Sequence, residues 1–355
     1  MNKRNLKLKQ GQAKFDLVSL GEVMIRFDPG DTRIRNARSF QVWEGGGEYN
    51  VARGLHTCFG KNTAIATALV DNEIGKLVKG LITSGGTDTS LVKWLPDDGI
   101  GRSARNGVYY LEKGFGKRAA LGASDRGNTA ISKMNPKDIN WEDLFGNQGV
   151  RWFHTGGIFA GLSDTAPEVI IHAADIARQY GTIVSYDLNY RPSLWQERGG
   201  KAAADKVNSD ILEQVDVLFG VDSLETNPVS LDYPLFEKAI GVLADRYPNL
   251  KAIASTMRIV QSANVNDWSG VLWIDDTFYR GMQCRNLDIY DRVGGGDGFA
   301  SGVIYGLLNS LPHDETINHG IAHGALVMGT PGDNSMVDQN EVRQLIHKQD
   351  ATVMR

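Results

Sequence analysis

Asp291-Arg292-Val293-Gly294-Gly295-Gly296-Asp297-Gly298-Phe299-Ala300-Ser301-Gly302 reads as a glycine turn that opens onto a helix. After Asp297, the apolar residues Phe299, Val303, Ile304, Leu307 and Leu308 recur at helical spacing. Consecutive glycines let a backbone turn sharply and bring its N–H groups close to a ligand. A helix start adds unpaired N–H donors and the positive end of a dipole, and both attract anions. Asp297 falls where such an anion would sit. A carboxylate beside a phosphate is electrostatically unfavourable unless it takes a proton from an attacking hydroxyl. Asp297 therefore reads either as a general base or as a helix cap beside a structural turn. This stretch alone does not choose between them.

Gly45-Gly46-Gly47-Glu48-Tyr49-Asn50-Val51-Ala52-Arg53-Gly54-Leu55 is a second glycine turn running into a helix, roughly 250 residues earlier. Together the two stretches resemble the paired signatures of the ribokinase-like (PfkB-type) sugar kinases. Those signatures read approximately Gly-Gly-x-x-x-Asn-x-Ala and Asp-Thr-x-Gly-Ala-Gly-Asp. The resemblance covers residues 15 to 345. It implies an α/β fold: a doubly wound, mainly parallel sheet flanked by helices, with a small β-sheet lid. It implies that Asp297 is the base and that Gly294, Gly295 and Gly296 form the turn of an anion hole. It implies ATP and Mg²⁺ as cofactors and leaves a monovalent cation open.

The composition agrees with one large domain. The chain has 355 residues, 41% hydrophobic and 23% charged. A chain of this size buries about 75% of the surface its unfolded form exposes. The formal charge of −4 gives no reason to expect nucleic-acid binding, so an anionic substrate must be held by local positive groups. No apolar run approaches the ~20 residues of a membrane span. Cys58 and Cys284 are far apart and lack zinc-site spacing, as expected of free thiols in the cytoplasm. Residues 1–14 carry Lys3, Arg4, Lys7, Lys9 and Lys14 without an apolar stretch, and read as a disordered basic lead-in. The resemblance makes residues 15–355 the kinase domain.

Read in order, Phe15–Leu20 and Thr63–Val70 are apolar enough for buried strands, and a helix around Asn50 stops at Gly60. Residues 71–84 read as another helix. Residues 23–43 and 99–130 look extended and glycine-rich, and the resemblance makes them the lid. Left alone they would expose sheet edges, so a homodimer through the lid is expected. From residue 150 onward strands and helices alternate, as in a parallel doubly wound sheet. Strands at residues 182–187, 215–219 and 250–255 each end in polar residues, where ligands of such sheets bind.

Three further segments carry chemistry. Asp187-Leu188-Asn189-Tyr190-Arg191-Pro192-Ser193-Leu194-Trp195 resembles a segment typical of 2-keto-3-deoxygluconate kinases. Arg191, at a strand's end, has the fork to grip a carboxylate or phosphate, or else is a surface ion pair. Thr330-Pro331-Gly332-Asp333 is good turn chemistry, and the resemblance makes Asp333 a substrate contact. Gly46 would let the backbone approach the sugar, and Asn50 would meet its hydroxyls or cap its helix. The resemblance assigns Arg126 to the substrate, and Asn189, Asp222, Glu225 and Thr256 to the nucleotide. There are departures: Arg292 stands where Thr is usual, Asp222 where Asn is usual, and the lid lacks the tyrosines that often precede Asp125-Arg126.

No Gly-x4-Gly-Lys-Ser/Thr is present, and no Gly-x-Gly-x-x-Gly follows a strand, which argues against P-loop and dinucleotide chemistry. The function implied is ATP-dependent phosphorylation of a sugar or sugar acid, first of all 2-keto-3-deoxygluconate. A fructokinase, another PfkB-type kinase or a sugar-binding regulator without turnover are the alternatives.

Overall fold

The computed structural model describes residues 4–9, 11–221 and 231–348. The chain enters a large sheet as β1 (Phe15–Leu20) and leaves it for β2 (Met24–Asp28) and β3 (Gln41–Gly45) of a small one. It returns through α1 (Gly47–Phe59), β4 (Thr63–Val70), α2 (Glu73–Ser84) and β5 (Val92–Leu95). β6 (Val108–Glu112) and β7 (Leu121–Asp125) complete the small sheet. The main sheet resumes with β8 (Val150–Gly156), α3 (Gly157–Ala160), α4 (Ala166–Gln179), β9 (Ile183–Asp187), α5 (Pro192–Trp195), α6 (Gly200–Leu212) and β10 (Val217–Phe219). α7 (Tyr233–Arg246) leads into β11 (Ala252–Ser262), β12 (Val265–Ile274), β13 (Thr277–Arg280) and β14 (Cys284–Asp288). The last helices are α8 (Gly295–Leu308), α9 (His313–Val327) and α10 (Gln339–Lys348).

Side-chain alternation along the strands divides the core. Val18, paired with Ala64 and Phe153, lies in one apolar layer with Val184, and α4, α6 and α7 cover it with Ile170, Ile211 and Ile240. The preceding residue of three of these strands, Leu17, Trp152 and Ile183, points the other way. There it meets Leu55 of α1, Phe299 of α8 and Ile321 of α9. Burial on both faces is why these strands read as nearly continuous apolar runs. The strand order is β13-β12-β11-β10-β9-β8-β1-β4-β5, parallel from β11 to β5. The small sheet runs β3-β2-β6-β7, with its strands drawn from residues 24–45 and 108–125.

Two expectations change. The strand expected at residues 250–255 runs on to Ser262 and turns through Ala263 and Asn264 into an antiparallel partner. Thr256 and Arg258 are therefore mid-strand, opposite Gly270 and Trp268. The basic lead-in, expected to be disordered, has residues laid against the domain. Leu6 and Leu8 pack on the α8–α9 layer, Arg4 donates to the Ala244 carbonyl (3.0 Å), and Lys9 donates to that of Phe145 (2.8 Å). Arg and Lys stems cover apolar surface while their heads find oxygens. Among the described residues no helix is long and apolar enough to cross a membrane.

Candidate active site

The glycine turn ends where α8 begins. Gly294 has φ of +81°, and a side chain there would collide with the Asp333 carbonyl. Both facts require glycine. Asp297 is in the first turn of α8, half-buried, with the exposed Gly296 beside it. The turn thus presents backbone N–H groups and a carboxylate to the same space.

Asn50 reaches that carboxylate. Its Nδ2 donates to Asp297 Oδ2 at 2.7 Å, and its Oδ1 accepts from the Gly46 N–H at 3.3 Å. The helix it sits in starts at Gly47, before Asn50. Asn50 therefore joins the two glycine turns across the site. Gly46 leaves no room for a side chain because the Glu22 carbonyl lies against it. Desolvation pushes Asp297 up to about 7, helped by Asp187 and Asp333 and opposed by Asn50 and Arg191. A group poised there is suited to accept a proton near neutral pH. Burial likewise raises Asp187 to about 6 and Glu48 to about 8. Glu48 Oε2 is buried without a hydrogen-bond partner.

The lid side is braced by a buried ion cluster. Arg26 of β2 is fully buried and donates to Asp28 (3.0 Å), Asp333 (2.7 Å) and Asp291. Asp333 also accepts from the Tyr109 hydroxyl of β6. Burial opposes the charge on Arg26, but Asp333 and Asp291 outweigh it and keep the guanidinium protonated. Burial also pushes the Asp291 and Asp333 carboxyls up, since three carboxylates share one guanidinium. The cluster pins the small sheet to the loops before and after α8–α9. His323 of α9, held neutral by burial, ties α9 to α8 and to the loop that follows through hydrogen bonds to Ser301 (2.8 Å) and Ser335 (2.7 Å).

Two cavities meet at this point. One of about 610 Å³ lies toward the lid and is lined by Gly46, Asn50, Tyr109, Arg126, Asp297 and Asp333. The other, about 480 Å³, lies toward Gly220, Phe236, Trp268 and Met328. Arg191, Asn189, Thr256 and Gly296 line both. Arg126 is engaged by Glu22 through Nε (2.9 Å) and Nη2 (2.6 Å). Among the described residues Arg191 donates only to the Tyr190 carbonyl (3.3 Å). Asn189 has φ of +29°, and its N–H donates to Asp187 Oδ1 at 3.1 Å.

Most of the residues anticipated from sequence thus converge: Gly46, Asn50, Arg126, Asn189, Arg191, Thr256, Gly294, Gly296, Asp297 and Asp333 all line one cavity. Gly295 lines the other, while Asp222 and Glu225 lie outside the described residues. Sequence reasoning missed Arg26, Tyr109, Asp187, Arg258 and Arg292 as parts of the site. Arg26 had a signal, as the one charge inside the apolar run Met24-Ile25-Arg26-Phe27. Among the described residues no cluster of three or more metal-ligating side chains exists. Asp187, the acid of the site that lines both cavities, fits a Mg²⁺ that arrives on phosphate oxygens and borrows a carboxylate.

The family model for pfkB family carbohydrate kinases matches residues 14–340. A 2-dehydro-3-deoxygalactonokinase of Haloferax volcanii is 26% identical, over 96% of this chain and 99% of the relative. A 2-dehydro-3-deoxygluconokinase of Bacillus subtilis is 28% identical, over 90% of this chain and 91% of the relative. The crystal structure of 2-dehydro-3-deoxygluconokinase from Thermotoga maritima superposes with a TM-score of 0.84 and 31% identity, covering 93% of this chain and 98% of that one.

Proposed function

Since this chain belongs to the pfkB family of carbohydrate kinases, we propose that it moves the terminal phosphoryl of ATP to the 6-hydroxyl of a 2-keto-3-deoxy sugar acid, with 2-keto-3-deoxygluconate as first substrate. The observation that carries this reading is Asp297: half-buried, held by Asn50, raised to about 7, and set beside a glycine turn at a helix start. The sugar acid occupies the lid-side cavity, where Asp333 and the Gly46 turn meet its hydroxyls. Its carboxylate pairs with Arg191, whose guanidinium feels the charge of Asp187 and Asp297 but makes no ion pair within contact distance among the described residues. Asp297 takes the hydroxyl proton, and the N–H groups of the 294–297 turn receive the negative charge of the migrating phosphoryl. Mg²⁺ carried on the triphosphate supplies charge neutralisation. Asn189 and Thr256 face the nucleotide.

The experiment is ADP release with a panel of 2-keto-3-deoxygluconate, its galactonate epimer and fructose. Preference for either sugar acid by tenfold or more in kcat/KM supports the reading. Preference for fructose points to a fructokinase, the second reading. What favours that reading is the lid segment before Asp125-Arg126, where Ala120 and Ser124 line the cavity in place of the usual tyrosines, while Tyr109 lines it from β6. No release with any sugar would mean a sugar-binding protein without turnover.

We further assign the enzyme to the cytoplasm, in keeping with two free thiols, and to a homodimer through the small sheet. β7 is an edge strand exposed along its whole length, beginning at the exposed Leu121, and Phe115 is exposed in the loop before it. Such an edge invites pairing with a second copy. Light scattering at micromolar concentration should give twice the chain mass; a monomer would remove the assignment.

A further inference from the structure

Arg258 and Arg292 stand where the two cavities join, together with Gly296 and Thr256. We propose that these two arginines form a clamp on the β- and γ-phosphates of the nucleotide, holding the phosphoryl as it passes from one cavity to the other. This rests on the kinase reading above. Neither guanidinium has a hydrogen bond or ion pair with another described residue, whereas Arg26, Arg53, Arg105, Arg126, Arg198 and Arg280 all pair with acids. The two repel each other: burial first, and then the charge of Arg292, lowers Arg258 to about 10. Like charges brought together without an acid are unfavourable in the free protein and favourable once a polyanion sits between them.

Their supports suit the role. Arg258 projects from the antiparallel β11–β12 pair, opposite Trp268, so its backbone is fixed. Arg292 lies two residues before Gly294, at the position where the family motif carries Thr. In transfer, the bond from γ-phosphorus to the bridging oxygen breaks and ADP keeps the electron pair. The bond from the sugar 6-oxygen to phosphorus forms, and the hydroxyl proton goes to Asp297. The γ-phosphate must meet the reacting hydroxyl beside Asp297, and Arg258 and Arg292 line both cavities there with Gly296. With Arg191 given to the carboxylate in the reading above, these two forked cations are left to serve the phosphates.

The test uses Arg258→Gln and Arg292→Gln in the full chain. Calorimetry should show that each weakens a non-hydrolysable ATP analogue with Mg²⁺ by about 10–100-fold, the range for losing a charge-assisted hydrogen bond. AMP affinity should stay unchanged and KM for the sugar acid should stay within about threefold. Relief of repulsion should leave the melting temperature equal or higher. If Arg258→Gln fails to fold, Arg258→Lys replaces it, with the same pattern expected at smaller size. Equal losses for AMP and the analogue would overturn the clamp. So would intact analogue binding, whether with a raised KM for the sugar acid or with a lowered melting temperature. If no sugar elicits ADP release from the wild type, the substrate reading fails, while the comparison of analogue with AMP still decides the clamp.

Discussion

Asn50→Ala should displace the pH dependence of catalysis rather than simply lower it. Asn50 donates to Asp297 at 2.7 Å and favours its charged form. A hydrogen bond to a charged group is worth about 1.5–3 kcal/mol, and one pH unit corresponds to about 1.4 kcal/mol. Removing the bond should therefore move the acidic limb of kcat/KM from about pH 7 to about pH 8–9. The sign follows from the role: the base must be ionised, so activity is lost as the pH falls through its pKa. At pH 7 the ionised fraction drops from about a half to between about a tenth and a hundredth, so kcat/KM falls about 5–50-fold. Near pH 9.5 it should recover to within a few-fold of wild type. The assay is coupled ADP release at subsaturating sugar from pH 5.5 to 10. A uniform loss with the limb still near 7 would refute the reasoning and make Asn50 a contact for the sugar alone.

Asp297→Asn should keep the fold and ATP binding but lower kcat by about 10²–10⁴, the usual range for loss of a general base; near-wild-type turnover would remove Asp297 from that role. Arg191→Lys keeps the charge but loses the fork, so KM for the sugar acid should rise about tenfold while KM for fructose is spared; a rise in KM for ATP with every sugar would place Arg191 on the nucleotide instead. Glu48 titrates at about 8 when folded against its ordinary 4.5. A raised carboxyl pKa gives stability that is full below about pH 4.5 and drains as the pH rises through 8, by a few kcal/mol. Glu48→Gln should therefore gain in melting temperature over wild type between pH 5 and pH 9; an unchanging difference across that range would show that Glu48 is already ionised.

Local rules made much of this protein legible in its sequence. Apolar runs with turn residues at their ends marked β1 and β4 at their observed limits. Gly60, with its left-handed φ, ended α1 as a helix stop should. The two glycine turns are local as well, because a glycine that precedes helical periodicity needs no distant partner to be recognised. From them followed the family, the placement of Asp297 and the expectation of a second sheet.

Relations between distant residues were decided only by the tertiary structure. Asn50 and Asp297 are 247 positions apart, and Arg26 and Asp333 are 307 apart. No periodicity links such pairs; α1 and α8 pack together with their first turns adjacent, and the small sheet carries Arg26 of β2 to the loop after α9. The same holds for ionisation: the sequence says Asp, but burial and neighbouring carboxylates set the value near 7. Arg258 looked like a residue beyond a strand's end because strand patterns do not show where pairing continues. The β12 partner carried that strand on and turned Arg258 into a fixed wall of the site.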